Sequence, residues 1–138
     1  MGFEKFGRRS FMAATKVAPF VDFLAEGKIK GTVCKECGAK SFPPRADCVA
    51  CFSKDVDWFD MPTQGTLVTF STLQYAPFGF EADTPYTLGL VDFGQDGLKL
   101  FARFAADVNV DGLKVGMPVS VRTLEYDDGQ LSYEIVAA

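Results

Sequence analysis

The chain has 138 residues, with 14 basic and 18 acidic side chains, a formal net charge of −4, four cysteines and no histidine. The missing histidine excludes Ser-His-Asp and Cys-His nucleophiles and every histidine-ligated metal, since no other side chain has an unperturbed pKa near neutrality. The acidic balance, with a pI near 4.8, lacks the positive excess that binding to a phosphate backbone draws on, and no apolar run of about 18 residues is present to span a membrane.

Residues 1–27 form a helical zone. Gly7-Arg8-Arg9-Ser10-Phe11-Met12 has the look of a twin-arginine export signal, but Lys16, Asp22 and Glu26 interrupt the stretch after it and leave no hydrophobic signal core. Met1-Gly2 would suit myristoylation, except that Phe6 stands where Ser or Thr is wanted. The expected location is the cytoplasm. Val17, Phe20, Val21 and Leu24 fall at i, i+3, i+4 and i+7, with Pro19 near the helix start and Gly27 at its end. This pattern buries one face; packing on the chain's own domain and docking into a partner both fit it.

Residues 28–60 hold all four cysteines, as Cys34-x-x-Cys37 and Cys48-x-x-Cys51 with ten residues between the pairs. A segment this small cannot hold itself together by apolar burial. A CxxC knuckle aims two thiolates at one point while backbone amides donate to the sulfurs, so two knuckles complete a tetrathiolate site. Zinc is the expected metal, and iron in a rubredoxin-like site satisfies the same ligands. Two disulfides or a redox CxxC are the alternatives; the first lacks a secretory signal and the second lacks a βαβ pattern. Four thiolate ligands leave no open position, so the role is structural. Gly38 follows the first knuckle, whereas Phe52 occupies the matching place after the second. The flanking apolar pieces predict a pair of small hairpins, with Trp58 and Phe59 wedging the ribbon against the C-terminal strands. Lys28, Lys30, Lys35, Lys40 and Arg45 gather around the cysteines. They form either a solvated face or a surface for phosphates or for an acidic partner.

Residues 61–138 read as five strands, Leu67 to Tyr75, Tyr86 to Phe93, Leu98 to Ala105, Val119 to Tyr126 and Leu131 to Ala137. Alternation sets Leu98, Leu100, Ala102 and Phe104 against Lys99, Phe101 and Arg103. Gln95-Asp96-Gly97 and Asp127-Asp128-Gly129 suit hairpin turns. Five antiparallel strands without a crossover helix suggest a small barrel of the OB type, with an SH3-like barrel or open sandwich as competitor. The fold class is therefore mainly β: a helical lead, a rubredoxin-like ribbon and a C-terminal five-stranded barrel. Between the first two strands, Tyr75, Pro77, Phe78, Phe80 and Tyr86 make an unusually aromatic loop, stiffened by two prolines. Such a loop fits contact with a partner, or closes the barrel end on itself.

With these motifs in order, AEGKIKG, CKECG, SFPPRADCVAC, GTLVTFSTL, PYTLGLVDF and KVGMPVSV, the chain resembles the acyl-CoA-associated zinc-ribbon and OB-fold proteins, the domain of unknown function thirty-five. Pro43-Pro44-Arg45 and the Gly65-Thr66 strand start sharpen the match beyond the cysteines. The resemblance implies a noncatalytic partner of a thiolase-superfamily enzyme, with a CoA ester as ligand of the complex and Lys35, Lys40 and Arg45 as candidate contacts to CoA phosphates. The aromatic load is similar to that expected of a small subunit serving an aromatic 3-oxoacyl-CoA, such as benzoylsuccinyl-CoA.

The residues fit this implication, because thiolysis needs an activated cysteine, an acid/base partner and an oxyanion hole. Here the metal claims every cysteine and histidine is absent. The competing readings are a freestanding acyl-CoA carrier, an iron electron carrier and a nucleic-acid-binding ribbon and barrel, the last disfavoured by charge.

Overall fold

The computed structural model describes residues 5–7, 15–76 and 85–138. The lead contributes one short helix, α1 (Pro19–Ala25), with proline in its first turn. Proline suits this place because the missing N–H would be unpaired there anyway. The helix stops by a paired closure: the Gly27 N–H donates to the Leu24 carbonyl at 3.0 Å and the Lys28 N–H to the Phe23 carbonyl at 2.8 Å. The predicted apolar face is the buried one, with Phe20, Val21 and Leu24 in the core. It packs against the strands at Lys30–Cys34, Pro118–Glu125 and Leu131–Ala137, so this face serves the chain's own fold. Ahead of the helix, Phe6 bridges to Leu131 in parallel, and the Gly7 N–H donates to the Leu131 carbonyl at 2.6 Å.

The ribbon is a three-stranded antiparallel sheet in the order β2-β1-β3, from β1 (Lys30–Cys34), β2 (Lys40–Ser41) and β3 (Val56–Asp60). β1 and β2 enclose the first knuckle as a hairpin, but β3 returns to pair with β1, from Lys30 opposite Asp60 to Cys34 opposite Val56. The second knuckle is thus a turn hung between β2 and β3, and the expected pair of hairpins is one hairpin with an added strand.

The remaining strands close a barrel in the order β4-β5-β6-β8-β7: β4 (Gln64–Leu73), β5 (Tyr86–Asp92), β6 (Lys99–Phe104), β7 (Pro118–Glu125) and β8 (Leu131–Ala137). Four neighbouring pairs are antiparallel, while β6 and β8 run parallel, with Arg103 opposite Glu134 and Phe104 opposite Ile135. An all-antiparallel arrangement fails for a simple reason: directions cannot alternate around a closed ring of an odd number of strands. Both predicted turns are present, with Leu98 donating to Gln95 at 3.0 Å and Gly129 to Tyr126 at 2.9 Å. Leu67, Val91, Leu100, Val119 and Ile135 fill the barrel.

An aromatic cluster joins the three parts. Phe20 of α1 lies 6.1 Å from Phe42 of the ribbon and 6.2 Å from Tyr133 of the barrel, centroid to centroid, and Phe42 lies 5.6 Å from Tyr133. Burial here pushes the Tyr133 phenol up to about 12. Trp58 meets Phe23 edge-on at 5.1 Å, so its wedge acts through the helix. Among the described residues, no helix is long and apolar enough to cross a membrane.

Candidate metal centre and partner surface

All four cysteines converge. Their sulfurs lie within 4.8 Å of one another, with Cys34 3.6 Å from Cys51 and Cys37 3.4 Å from Cys48 across the two knuckles. A disulfide needs about 2.05 Å, and all four are free thiols. A tetrahedron built on a zinc–sulfur bond of about 2.3 Å has edges of about 3.8 Å, so the group fits a single ion with little movement.

The chain folds this way because each knuckle is closed by its own backbone. Cys34 ends β1, its N–H donates to the Ala39 carbonyl at 2.9 Å, and the Gly38 N–H returns to the Cys34 carbonyl at 3.0 Å. The second knuckle repeats the pattern, with Cys48 donating to Ser53 at 2.8 Å and Phe52 to Cys48 at 3.1 Å. Amides also point at sulfur: Cys37 N–H donates to Cys34 Sγ at 3.4 Å, and Ala50 and Cys51 donate to Cys48 Sγ at 3.3 and 3.5 Å. The amides of Cys51 and Ala50 draw the Cys48 thiol down to about 6, and the Cys37 amide lowers Cys34. Cys51 goes the other way: the Ser53 amide favours its thiolate, but its place beside Cys34 and the other sulfurs pushes it up to about 12. Cys37 is raised as well: the Ala39 amide favours its thiolate, but Cys48, burial and Cys34 together outweigh it. Two knuckles therefore each supply one thiolate-favouring and one thiol-favouring cysteine, and a bound cation would hold all four deprotonated.

The candidate phosphate contacts are scattered. Lys35 pairs with Asp55 at 3.6 Å. Lys40 pairs with Asp96, in the β5–β6 turn, at 3.1 Å and lies 5.2 Å from the Phe59 ring centroid. Arg45 is exposed, and its backbone N–H donates to Thr32 Oγ1 at 3.0 Å. The structure thus gives both lysines acidic partners inside the chain and does not gather the three into one cradle.

Of the aromatic loop, Pro77, Phe78 and Phe80 lie outside the described residues. Tyr75 is 90% exposed. Tyr86 begins β5 at the rim of a groove of about 720 Å³ on the outer barrel wall, whose lining includes Leu88, Phe101, Arg103, Tyr126 and Glu134. Arg103 lies over the Tyr86 ring, 5.0 Å from its centroid, and donates to the Tyr126 hydroxyl at 2.9 Å. The buried Glu134 accepts from Arg122 Nε at 2.6 Å. Alternation along β6 puts Phe101 and Arg103 on the outer face. Their meeting with Tyr126 and Glu134 depends on the barrel order, which carries no local signal.

Comparison with known proteins agrees with this architecture. Residues 21–57 match the family model described as the ChsH2 rubredoxin-like zinc ribbon domain, and residues 58–124 match the ChsH2 C-terminal OB-fold domain. A DUF35 domain-containing scaffold protein of Pyrococcus furiosus is 32% identical over 115 residues, which cover 80% of this chain and 82% of that protein. A protein so described from Methanocaldococcus jannaschii is 28% identical over 75% of each chain. Benzoylsuccinyl-CoA thiolase subunit BbsA of Thauera aromatica is 31% identical over 75 residues, covering 54% of this chain and 50% of BbsA. Among solved structures, the Ltp2-ChsH2(DUF35) aldolase superposes with a TM-score of 0.76 at 21% identity, covering 92% of this chain and 98% of that one.

Proposed function

We propose, since this chain belongs to the DUF35 family of zinc-ribbon and OB-fold proteins, that it is a noncatalytic, zinc-stapled subunit of a thiolase-type acyl-CoA enzyme complex. One observation carries the reading. Every cysteine converges on a single closed site and the sequence has no histidine, so the chain lacks the free cysteine nucleophile and the histidine base that thiolysis ordinarily uses. Chemistry then belongs to a partner. The ribbon's four thiolates would hold structural zinc, with no ligand position open for water or substrate. Free thiols and a CoA-dependent partner both suit a cytoplasmic complex.

What the chain contributes is surface. Tyr75 and Tyr86 flank the aromatic loop that contains Pro77, Phe78 and Phe80, and we assign this region to contact with the catalytic subunit or with the acyl chain of its CoA ester. Arg45, exposed beside the ribbon, is the best placed of the three basic candidates for a CoA phosphate. Lys35 and Lys40 would first have to leave Asp55 and Asp96. The likeness to BbsA supports an aromatic 3-oxoacyl-CoA, such as benzoylsuccinyl-CoA, as the substrate of the complex.

The test is reconstitution. The chain is combined with the thiolase-superfamily protein that it retains from its native lysate, and CoA-dependent cleavage of 3-oxoacyl-CoA esters is followed. Activity of the pair that this chain never shows alone is the expected result, with aromatic esters preferred. Cleavage by this chain alone, or an unchanged rate when it is left out, contradicts the proposal.

A further inference from the structure

We propose that the tip of the second knuckle, with Phe52 as its anchor, docks into an apolar pocket on the partner subunit; the inference rests on the subunit reading above. Gly38 and Phe52 hold the same place after their knuckles. Each donates its N–H to the carbonyl of the first cysteine, at 3.0 Å for Gly38 and 3.1 Å for Phe52. Each has left-handed backbone, with φ of 77° and 63° respectively. Only glycine adopts that region without steric cost, because a Cβ crowds the neighbouring carbonyl. The first knuckle meets the demand and the second puts a bulky ring there.

The fold receives nothing in exchange. Phe52 is 79% exposed, and among the described residues its ring packs on no other. Val49, 54% exposed, and the exposed Ala50 extend the apolar surface across the same turn. A strained residue whose side chain faces water is better explained by a contact outside the chain than by one within it.

Charge and area select the occupant. The exposed charges flanking the two knuckles nearly balance, with Lys16, which donates to the Ala46 carbonyl at 3.1 Å, Lys35, Arg45 and Lys54 against Glu36, Asp47 and Asp55; Lys35 is paired with Asp55 and Lys40 with Asp96. One unbalanced cation is far from the basic cluster that an anionic lipid surface or a nucleic acid calls for. One aromatic and two small apolar side chains fall far short of the roughly 800 Å² per partner that a stable association buries, so two copies meeting tip to tip would not hold. An anchor that enters a pocket inside a larger interface with a different protein fits both facts. The metal site sets the turn's shape, so docking is lost with the metal.

Substitution by Asn or Gly, which accept left-handed backbone, separates this role from a structural one. Phe52→Asn and Phe52→Gly should keep one metal ion per chain and melt no lower than the parent chain, up to about 3 °C higher. Their affinity for the purified thiolase-superfamily subunit should fall about tenfold or more, as for an interface anchor. Unchanged affinity overturns the inference and leaves the subunit reading intact. A lower melting temperature or metal content in both variants makes Phe52 structural and also overturns it. Self-association of the parent chain that both substitutions abolish assigns the tip to a second copy, against the proposal. If the parent chain binds no thiolase-superfamily subunit at all, the subunit reading fails and takes the inference with it.

Discussion

Cys48 accepts from two amides of its own turn while Cys51, three residues on, is held as a thiol by its sulfur neighbours. At neutral pH the metal-free ribbon therefore still carries protons that an incoming ion must displace. A group with a raised pKa releases its proton to the metal more readily as pH rises, so apparent affinity climbs with pH and acid expels the ion. Chelator competition between pH 6 and pH 8 should show tighter retention at the higher value, and a flat profile would contradict a tetrathiolate site. Cys34→Ser should lose stoichiometric metal and unfold the ribbon before the barrel, read by metal analysis and amide exchange; retention of both would contradict the structural role. These cysteines were legible because a CxxC knuckle is a local motif. The acidic partners of Lys35 and Lys40 were not, since Asp55 and Asp96 reach them only through the folded chain. At Phe52 the sequence revealed a departure from glycine, and only the backbone angle revealed that the turn is left-handed all the same.

At the scale of elements, α1 is the part on which the others meet. Its 3.6-residue pattern announced a buried face without saying against what, because amphipathicity carries no address. The address is the seam of ribbon and barrel, where Phe20 touches Phe42 and Tyr133. Phe20→Ala should cost about 3–5 kcal/mol, measured by denaturant unfolding, and should loosen exchange protection in both the ribbon and β8; a loss below about 1 kcal/mol would remove the helix from this role. The five barrel strands were legible from alternation and turn residues, but the parallel contact between β6 and β8 was not, since pairing across the ring leaves no local trace. One barrel glycine has a packing reason. A Cβ at Gly89 would lie 2.6 Å from Phe104 Cε2 and 3.2 Å from Ile135 Cδ1, inside the filled barrel. Gly89→Ala should therefore destabilise the protein by about 1–3 kcal/mol through overpacking, again by denaturant unfolding, and a neutral result would mean that the Phe104 ring has room to turn.

Taken as a whole molecule, the chain is a small β protein that uses two different devices for cohesion. The barrel holds itself by apolar burial, whereas the ribbon sheet of three short strands depends on its thiolate cluster. The aromatic seam and the Lys40–Asp96 pair tie the two together. The surfaces proposed for contact lie on both parts, at the knuckle tip around Phe52 and at the barrel groove beside Tyr86. This division matches a subunit that presents a preorganised surface and leaves bond breaking to its partner. Native mass spectrometry of the tagged chain, drawn gently from its own cells, tests that claim most directly. The account predicts a heteromer of this chain with a thiolase-superfamily subunit, carrying one zinc ion per copy of this chain. A lone metal-free chain, or one that emerges bound to nucleic acid, would contradict it.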